Sequence, residues 1–272
     1  MSKGILLFAR DTETRSYTNM AAYCSKQVKR YLKLPIALVT DVDAVIDESN
    51  YDHVIRVSPE TLQQSRKMSE LTQVERWRNF NRYQAYALSP FEETILMDTD
   101  YIVNSTRLLT LFDMNQPFLC HKRRIYLGKE KFSEIESFGR DNDMYWATVV
   151  YFKRSREAES IFNMMQMIQE NYDHYSKIYR FSTGTFRNDF AISIAINTVY
   201  GHIMSPEVEI PWPLMNVEFT TDVKRLNQDS YELNFERVID QDLKQFKITT
   251  YRQDLHILNK DALFKIIENT ND

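Results

Sequence analysis

The chain alternates short, wholly apolar runs with longer amphipathic stretches. Residues 5–9 (ILLFA) and 36–39 (IALV) contain no polar position, which is the pattern of strands buried on both faces. Between them, Ser16 is placed to cap a helix running to about residue 33. Tyr17, Met20, Ala21, Cys24, Val28, Tyr31 and Leu32 fall on its apolar side, and Pro35 ends it. Strand, helix and strand in that order imply parallel pairing with a right-handed crossover. Residues 53–57 read as a third strand. Trp77, Phe80, Tyr83, Ala87 and Leu88 recur at helical spacing and predict a helix over about 74–88, closed by Ser89-Pro90. Further strands are expected at 94–97, 118–120 and 148–152, a short helix at 106–112, and longer helices at about 155–172 and 188–200. From residue 205 the pattern loosens, with short strands expected at 208–212, 233–235 and 246–249 and a last helix at 261–268. The expected fold class is α/β, a mostly parallel sheet flanked by helices. One domain is expected over 1–272, with its core in 1–204 and an elaborated C-terminal part in 205–272.

Composition narrows the functional classes. The 272 residues are 43% hydrophobic and 13% aromatic, enough for a substantial core and unlike a disordered chain. The net charge of −4 predicts no general affinity for polyanions. The most basic stretch, Lys122-Arg123-Arg124, is expected to be a solvated loop. The two cysteines, Cys24 and Cys120, have neither metal-site nor disulfide spacing. No apolar run is long enough for a signal peptide core or a membrane span, so a cytoplasmic protein is expected, of a kind that would suit a bacterium or a phage-infected cell. With five glycines and neither G-x-G-x-x-G nor G-x-x-x-x-G-K-[ST], the chain lacks the glycine-rich phosphate cradles.

The strand expected at 94–97 runs into Asp98-Thr99-Asp100, and a second apolar patch, Tyr101-Ile102-Val103, follows at once. Ligands in open α/β sheets sit at the carboxyl ends of the strands. On an extended segment residues i and i+2 point the same way, so both carboxylates can meet one point. Two carboxylates held together repel, and a hard divalent cation relieves that repulsion. An ordinary acidic turn closing a strand is the competing reading. Asp41-Val42-Asp43 also follows a strand but lacks an apolar flank beyond it; Asp41 is a candidate for lining a nucleotide pocket.

The segment RYQAYALSPFEETILMDTDYIVNS (82–105) resembles the central block of GT-A-fold glycosyltransferases, most of all those of the glycogenin and galactinol synthase type. That block is a basic residue on an aromatic-rich helix, an apolar strand, D-x-D and a short apolar stretch. The likeness covers about residues 1–200. It implies Asp98 and Asp100 as metal ligands, with Thr99 between them near the donor, and Arg82 as the residue that contacts the donor. Arg78, one turn earlier, is a second basic candidate. At the N-terminus, Ala9, Arg10, Asp11, Thr12, Arg15 and Tyr17 match the loop and aromatic that hold the nucleotide. TFRNDFAISIAIN (185–197) resembles the later D-Q-x-x-x-N block and assigns Asp189 to the sugar or acceptor, with Phe190 standing in place of Gln. The family's small N-[SA]-G segment aligns with Trp146-Ala147-Thr148, which implies a different or smaller sugar pocket. Its H-x-x-G-x-x-K-P-W is absent; DLHILNK (254–260) could replace it, with His256 as third metal ligand and Lys260 on the diphosphate.

The likeness therefore implies an Mn²⁺- or Mg²⁺-dependent transfer from a nucleotide sugar, expected to be UDP-linked and retaining. The acceptor could be a glycan, a protein, a lipid-linked sugar or a modified nucleobase, and a homodimer is allowed. Two alternatives stay open. One is a non-catalytic binding or assembly protein of the same fold. The other is a nucleotidyltransferase, which the glycine-free loop 10–15 disfavours.

Overall fold

The computed structural model of the chain describes residues 2–58, 64–67, 74–77, 81–128, 134–135, 137–138, 142–181, 186–202 and 207–270. In chain order the strands are β1 (Lys3–Phe8), β2 (Ile36–Asp41), β3 (His53–Val57), β4 (Gln64–Lys67), β5 (Val74–Trp77), β6 (Glu93–Met97), β7 (Tyr101–Ile102), β8 (Phe118–His121), β9 (Arg123–Leu127), β10 (Glu134–Ile135), β11 (Ser137–Phe138), β12 (Asn142–Asp143), β13 (Trp146–Lys153), β14 (Leu214–Val217), β15 (Asp222–Arg225), β16 (Ser230–Ile239), β17 (Asp242–Tyr251) and β18 (Leu255–Ile257). The α-helices are α1 (Tyr17–Tyr31), α2 (Ala85–Leu88), α3 (Arg156–Glu170), α4 (Tyr172–Ile178), α5 (Asn188–Val199) and α6 (Lys260–Glu268).

The main sheet has the order β3-β2-β1-β6-β13-β8. Its first four strands are parallel, with Ile5 facing Ile36 and Leu7 facing Met97. The last two join antiparallel, with Val149 facing Met97 and Trp146 facing His121. Ile5, Leu6 and Leu7 of β1 and Ile36 to Val39 of β2 are wholly buried, as a sheet covered on both faces requires. Burying each such aliphatic side chain contributes about 1.5–3 kcal/mol, so these two runs anchor the fold. Helix α1 begins where Ser16 accepts the Asn19 N–H. It lays Ala21, Cys24 and Val28 against the main core, while Met20 and Tyr23 join a second core with Ile102, Val217, Leu255, Ile257 and Leu263.

A second sheet, ordered β10-β9-β14-β18-β7, meets the first at the carboxyl ends of β6 and β8. The chain leaves β6 at Met97 and enters the second sheet at Tyr101; it leaves β8 at His121 and enters the second sheet at Arg123. Strand β18 lies between β14 and β7, pairing His256 with Asn216 on one side and with Tyr101 on the other.

Four sequence expectations need correction. Residues 74–77 form strand β5, paired with β4, and among the described residues of this stretch the helical part is a 3-10 turn from Arg82 leading into α2. Asn79 and Asn81, weak helix formers, interrupt the apolar periodicity that suggested one long helix. Residues 208–212 make one bridge, from Glu209 to Cys120; the strand begins at Leu214, beyond Pro211 and Pro213, neither of which has an N–H for a ladder. Residues 98–100 form a turn and not an extended segment. Lys122-Arg123-Arg124 is not a solvated loop. Lys122 is buried and paired with Asp143, Arg123 with Glu209, and Arg124 lies over the Trp146 ring.

Candidate functional site

The acidic turn is held at both ends. The Asp98 N–H donates to the Thr148 carbonyl at 2.9 Å, in the main sheet, and the Ile257 N–H donates to the Asp100 carbonyl at 3.0 Å, in the second sheet. Between them the Tyr101 N–H closes the turn on the Asp98 carbonyl at 3.2 Å. The carboxylates do converge, but through this two-sheet junction and not through strand alternation. One ligand atom each from Asp98, Asp100 and His256 lies within 4.8 Å of the others. Asp98 is half-buried, and Asp100 and His256 are each 8% exposed.

Both carboxylates are countered by cations. Arg82 Nη1 donates to Asp98 Oδ1 at 2.5 Å, and Lys260, the first residue of α6, pairs with Asp100 Oδ2. Arg82 is buried, and its Nε and Nη2 have no hydrogen-bond partner among the described residues. A buried guanidinium with unused donors is costly unless an anion or water completes it. His256 sits on β18 with Nδ1 2.9 Å from Asn216 Oδ1 and Nε2 3.5 Å from Asp100 Oδ2. Burial pushes its pKa below the ordinary histidine value. Asp98 and Asp189 oppose that shift, and Arg124 and Arg82 reinforce it. The shift favours the neutral imidazole, the form that ligates metals.

Asp189 stands in the first turn of α5. Its Oδ1 accepts the Ala147 N–H at 3.1 Å, and its Oδ2 accepts from Arg187 at 2.9 Å. The Trp146-Ala147-Thr148 segment is thus tied to Asp189 at the same edge as the acidic turn. Trp146 is buried, with the Arg124 guanidinium 3.6 Å from its ring centroid.

The remaining expected residues lie along the N-terminal loop. Ala9 continues from β1, its N–H on the Val39 carbonyl at 3.0 Å. Arg10 is buried with its Nε 3.5 Å from Asp41 Oδ1, so Asp41 is engaged beside it. Asp11 accepts the Thr18 N–H and the Thr18 hydroxyl, both at 2.8 Å, and caps α1. Thr12 closes the loop through the Arg15 N–H at 3.1 Å, and Arg15 reaches Asp261 of α6 at 3.2 Å. Tyr17 packs between the two cores, and Thr99 is buried in the acidic turn. Arg78 lies outside the described residues. No helix among the described residues is long and apolar enough to cross a membrane.

Two oxygens and one imidazole nitrogen from rigid elements form a donor set suited to a hard or borderline divalent ion such as Mg²⁺ or Mn²⁺. Sequence reading missed three neighbours of that set: Asn216, Arg124 and Arg187. A lone Asn inside the apolar run Leu214-Met215-Asn216-Val217 was the available signal for the first, because a buried amide needs a partner.

No protein-family model matches the chain, and no curated protein does. Solved structures do match. The galactosyltransferase LgtC in complex with donor and acceptor sugar analogs is 14% identical over 71% of this chain and 70% of its own, with a TM-score of 0.45. Mouse xyloside xylosyltransferase 1 is 11% identical over 75% of this chain and 84% of its own, with a TM-score of 0.43. The glycosyltransferase GlyE of Streptococcus pneumoniae TIGR4 is 13% identical over 77% of this chain and 45% of its own, with a TM-score of 0.40. The functional reading below rests on the side chains of the site.

Proposed function

We propose that this chain is a GT-A-type glycosyltransferase that moves a sugar from a nucleotide diphosphate donor, UDP-linked, to an acceptor hydroxyl in a divalent-metal-dependent reaction. One observation carries the reading: Asp98, Asp100 and His256 present ligand atoms within 4.8 Å of one another, with Arg82 and Lys260 paired to the same carboxylates. Acid ligands alone would suit many metal proteins. Acid ligands interleaved with cations suit a site that must take a metal and a polyanion together.

In the reaction the anomeric C–O bond of the donor breaks and its electron pair stays on the diphosphate oxygen. The acceptor oxygen forms the new bond and passes its proton to the departing diphosphate oxygen. Asp98, Asp100 and His256 would hold Mn²⁺ or Mg²⁺, which supplies Lewis-acid charge to the leaving diphosphate when bound. Arg82 and Lys260 neutralise the remaining phosphate charge. Asp189, fixed by Ala147 and Arg187, orients the sugar or acceptor. The loop 9–15 and Tyr17, with Asp41 beside Arg10, take the nucleoside end. Trp146 capped by Arg124 narrows the sugar end, favouring a compact sugar. Retention at the anomeric carbon rests on the family likeness alone.

The test is a donor panel: purified protein with Mn²⁺, each of several nucleotide sugars, and release of the nucleoside diphosphate as readout. Release that needs the metal and is lost in the Asp98→Asn, Asp100→Asn double variant supports the reading. Failure to bind or cleave any donor in the panel removes it.

A further inference from the structure

We infer that Asn216 is a positioning residue: it holds the proton of the His256 ring on Nδ1 and so leaves the Nε2 lone pair bare toward Asp98 and Asp100. The inference rests on the proposed metal site for its purpose, but its geometry stands apart from that reading. Asn216 is 2% exposed, and its Cα is the register partner of His256 across the parallel β14–β18 pair. Strand pairing thus sets the two side chains abreast, and the amide oxygen of Asn216 reaches Nδ1 at 2.9 Å. With the amide oxygen facing the ring, Asn216 can only accept and Nδ1 must carry the hydrogen; a flipped amide would instead donate to a bare Nδ1, which the spectrum below distinguishes.

The other face of the ring offers only a weak competitor for the proton. Nε2 is 3.5 Å from Asp100 Oδ2, long for a hydrogen bond, and that oxygen already accepts from Lys260. A ring protonated on Nε2 would gain only a long contact to a carboxylate oxygen that Lys260 already occupies. It would also set the Asn216 oxygen against a bare Nδ1. Two lone pairs facing each other at 2.9 Å inside a buried site would repel. The neutral ring has one proton to place, and Asn216 decides where it goes. A ligating histidine needs this kind of support, because the partner on its second nitrogen fixes both tautomer and ring orientation.

The experiment labels the histidines with ¹⁵N and reads the two ring nitrogens of His256 by long-range ¹⁵N–¹H correlation in metal-free protein at neutral pH. His256→Gln provides the assignment. The expected spectrum has a protonated Nδ1 and an unprotonated Nε2. An Nε2–H ring in the wild type overturns the inference. The paired measurement is Mn²⁺ affinity by calorimetry. Asn216→Leu is expected to lose about 10- to 100-fold, while Asn216→Asp, which keeps an acceptor at the same place, retains affinity within a few-fold. Folding of both variants is checked by near-UV circular dichroism. If the leucine variant does not fold, the comparison of the aspartate variant with Asn216→Ser, too short to reach Nδ1, serves instead. A folded leucine or serine variant that binds Mn²⁺ as tightly as wild type also overturns the inference. Wild-type protein with the expected tautomer but no affinity for Mn²⁺, with or without UDP, upholds the Asn216–His256 bond and removes the metal reading of the site. The two claims therefore fail separately.

Discussion

Lys260→Gln should tighten the binding of Mn²⁺ alone while weakening the help that UDP gives to it. The ammonium of Lys260 pairs with Asp100, one of the three groups that would ligate the ion. An ammonium bonded to a carboxylate stands roughly 5 Å from a cation bound to that same carboxylate. A +2 and a +1 charge at that separation repel by about 1.7 kcal/mol with bulk-water screening and about 6.6 kcal/mol at an effective dielectric of 20. Lys260 is half-buried, so water and salt bring the repulsion toward the lower figure; about tenfold in affinity is the expected size. Gln is uncharged and one atom shorter, so it removes this repulsion and leaves Asp100 without its cation. A bound diphosphate would have the opposite effect in the wild type, because it would give Lys260 a new partner and free Asp100 for the metal. By linkage the metal and the nucleotide must raise each other's affinity by the same factor, and that factor should shrink by about tenfold in the variant. Calorimetric titration of Mn²⁺ into wild type and variant, with and without saturating UDP, measures all four constants. A folded Lys260→Gln protein that binds Mn²⁺ alone no better than wild type would refute the reasoning.

Two further outcomes follow from packing and burial. Gly4→Ala in β1 would set a Cβ 2.4 Å from the Phe91 ring, and overpacking of this kind costs about 1–3 kcal/mol, to be read as a lower urea midpoint with an unchanged m-value. Stability should also fall in acid. His121 is fully buried, with burial holding its pKa down at about 3 against an ordinary 6.5. The unfolded chain therefore takes up a proton below pH 6.5 that the folded chain refuses until about pH 3, so His121's contribution is complete above 6.5 and is lost as pH falls through that window, by about 1.4 kcal/mol per unit. His121→Asn keeps a donor for the Trp212 carbonyl, which Nδ1 meets at 3.0 Å, and should flatten the slope of unfolding free energy between pH 4 and 6.5. An unchanged slope would place the acid sensitivity in other groups.

The main sheet was legible because its strands obey local rules. The apolar runs at β1, β2, β6 and β13 can only be buried, and Ser16 and Ser155 cap α1 and α3 as their positions suggest. The second sheet was not legible. Its strands β7, β14 and β18 have two to four residues each, too short to show a period, and β9 is carried by Arg123 and Arg124. Those arginines gain their place from partners far along the chain, Glu209 and Trp146, and no local pattern encodes such pairs. The same holds for the helix expected at 74–88, where spacing within one segment suggested what pairing with another segment decides.

That difference explains the acidic turn. Tyr101-Ile102-Val103 follows the carboxylates because the chain passes from one sheet to the other with only three residues between β6 and β7, Ile102 then packing in the second core and Tyr101 and Val103 in the first. The residues at such a junction cannot all be apolar, since they line the seam where two sheets diverge, and they cannot be left as bare charges, since Asp100 is 8% exposed. Cations from elsewhere must therefore meet them: Arg82 from just before α2, and Lys260 from the start of α6. His256 reaches the seam because β18 pairs directly with β7. The site is thus assembled by the docking of the two sheets. Substitutions that loosen this docking, in Ile102 or Leu255 of the second core, should weaken metal binding without touching a ligand.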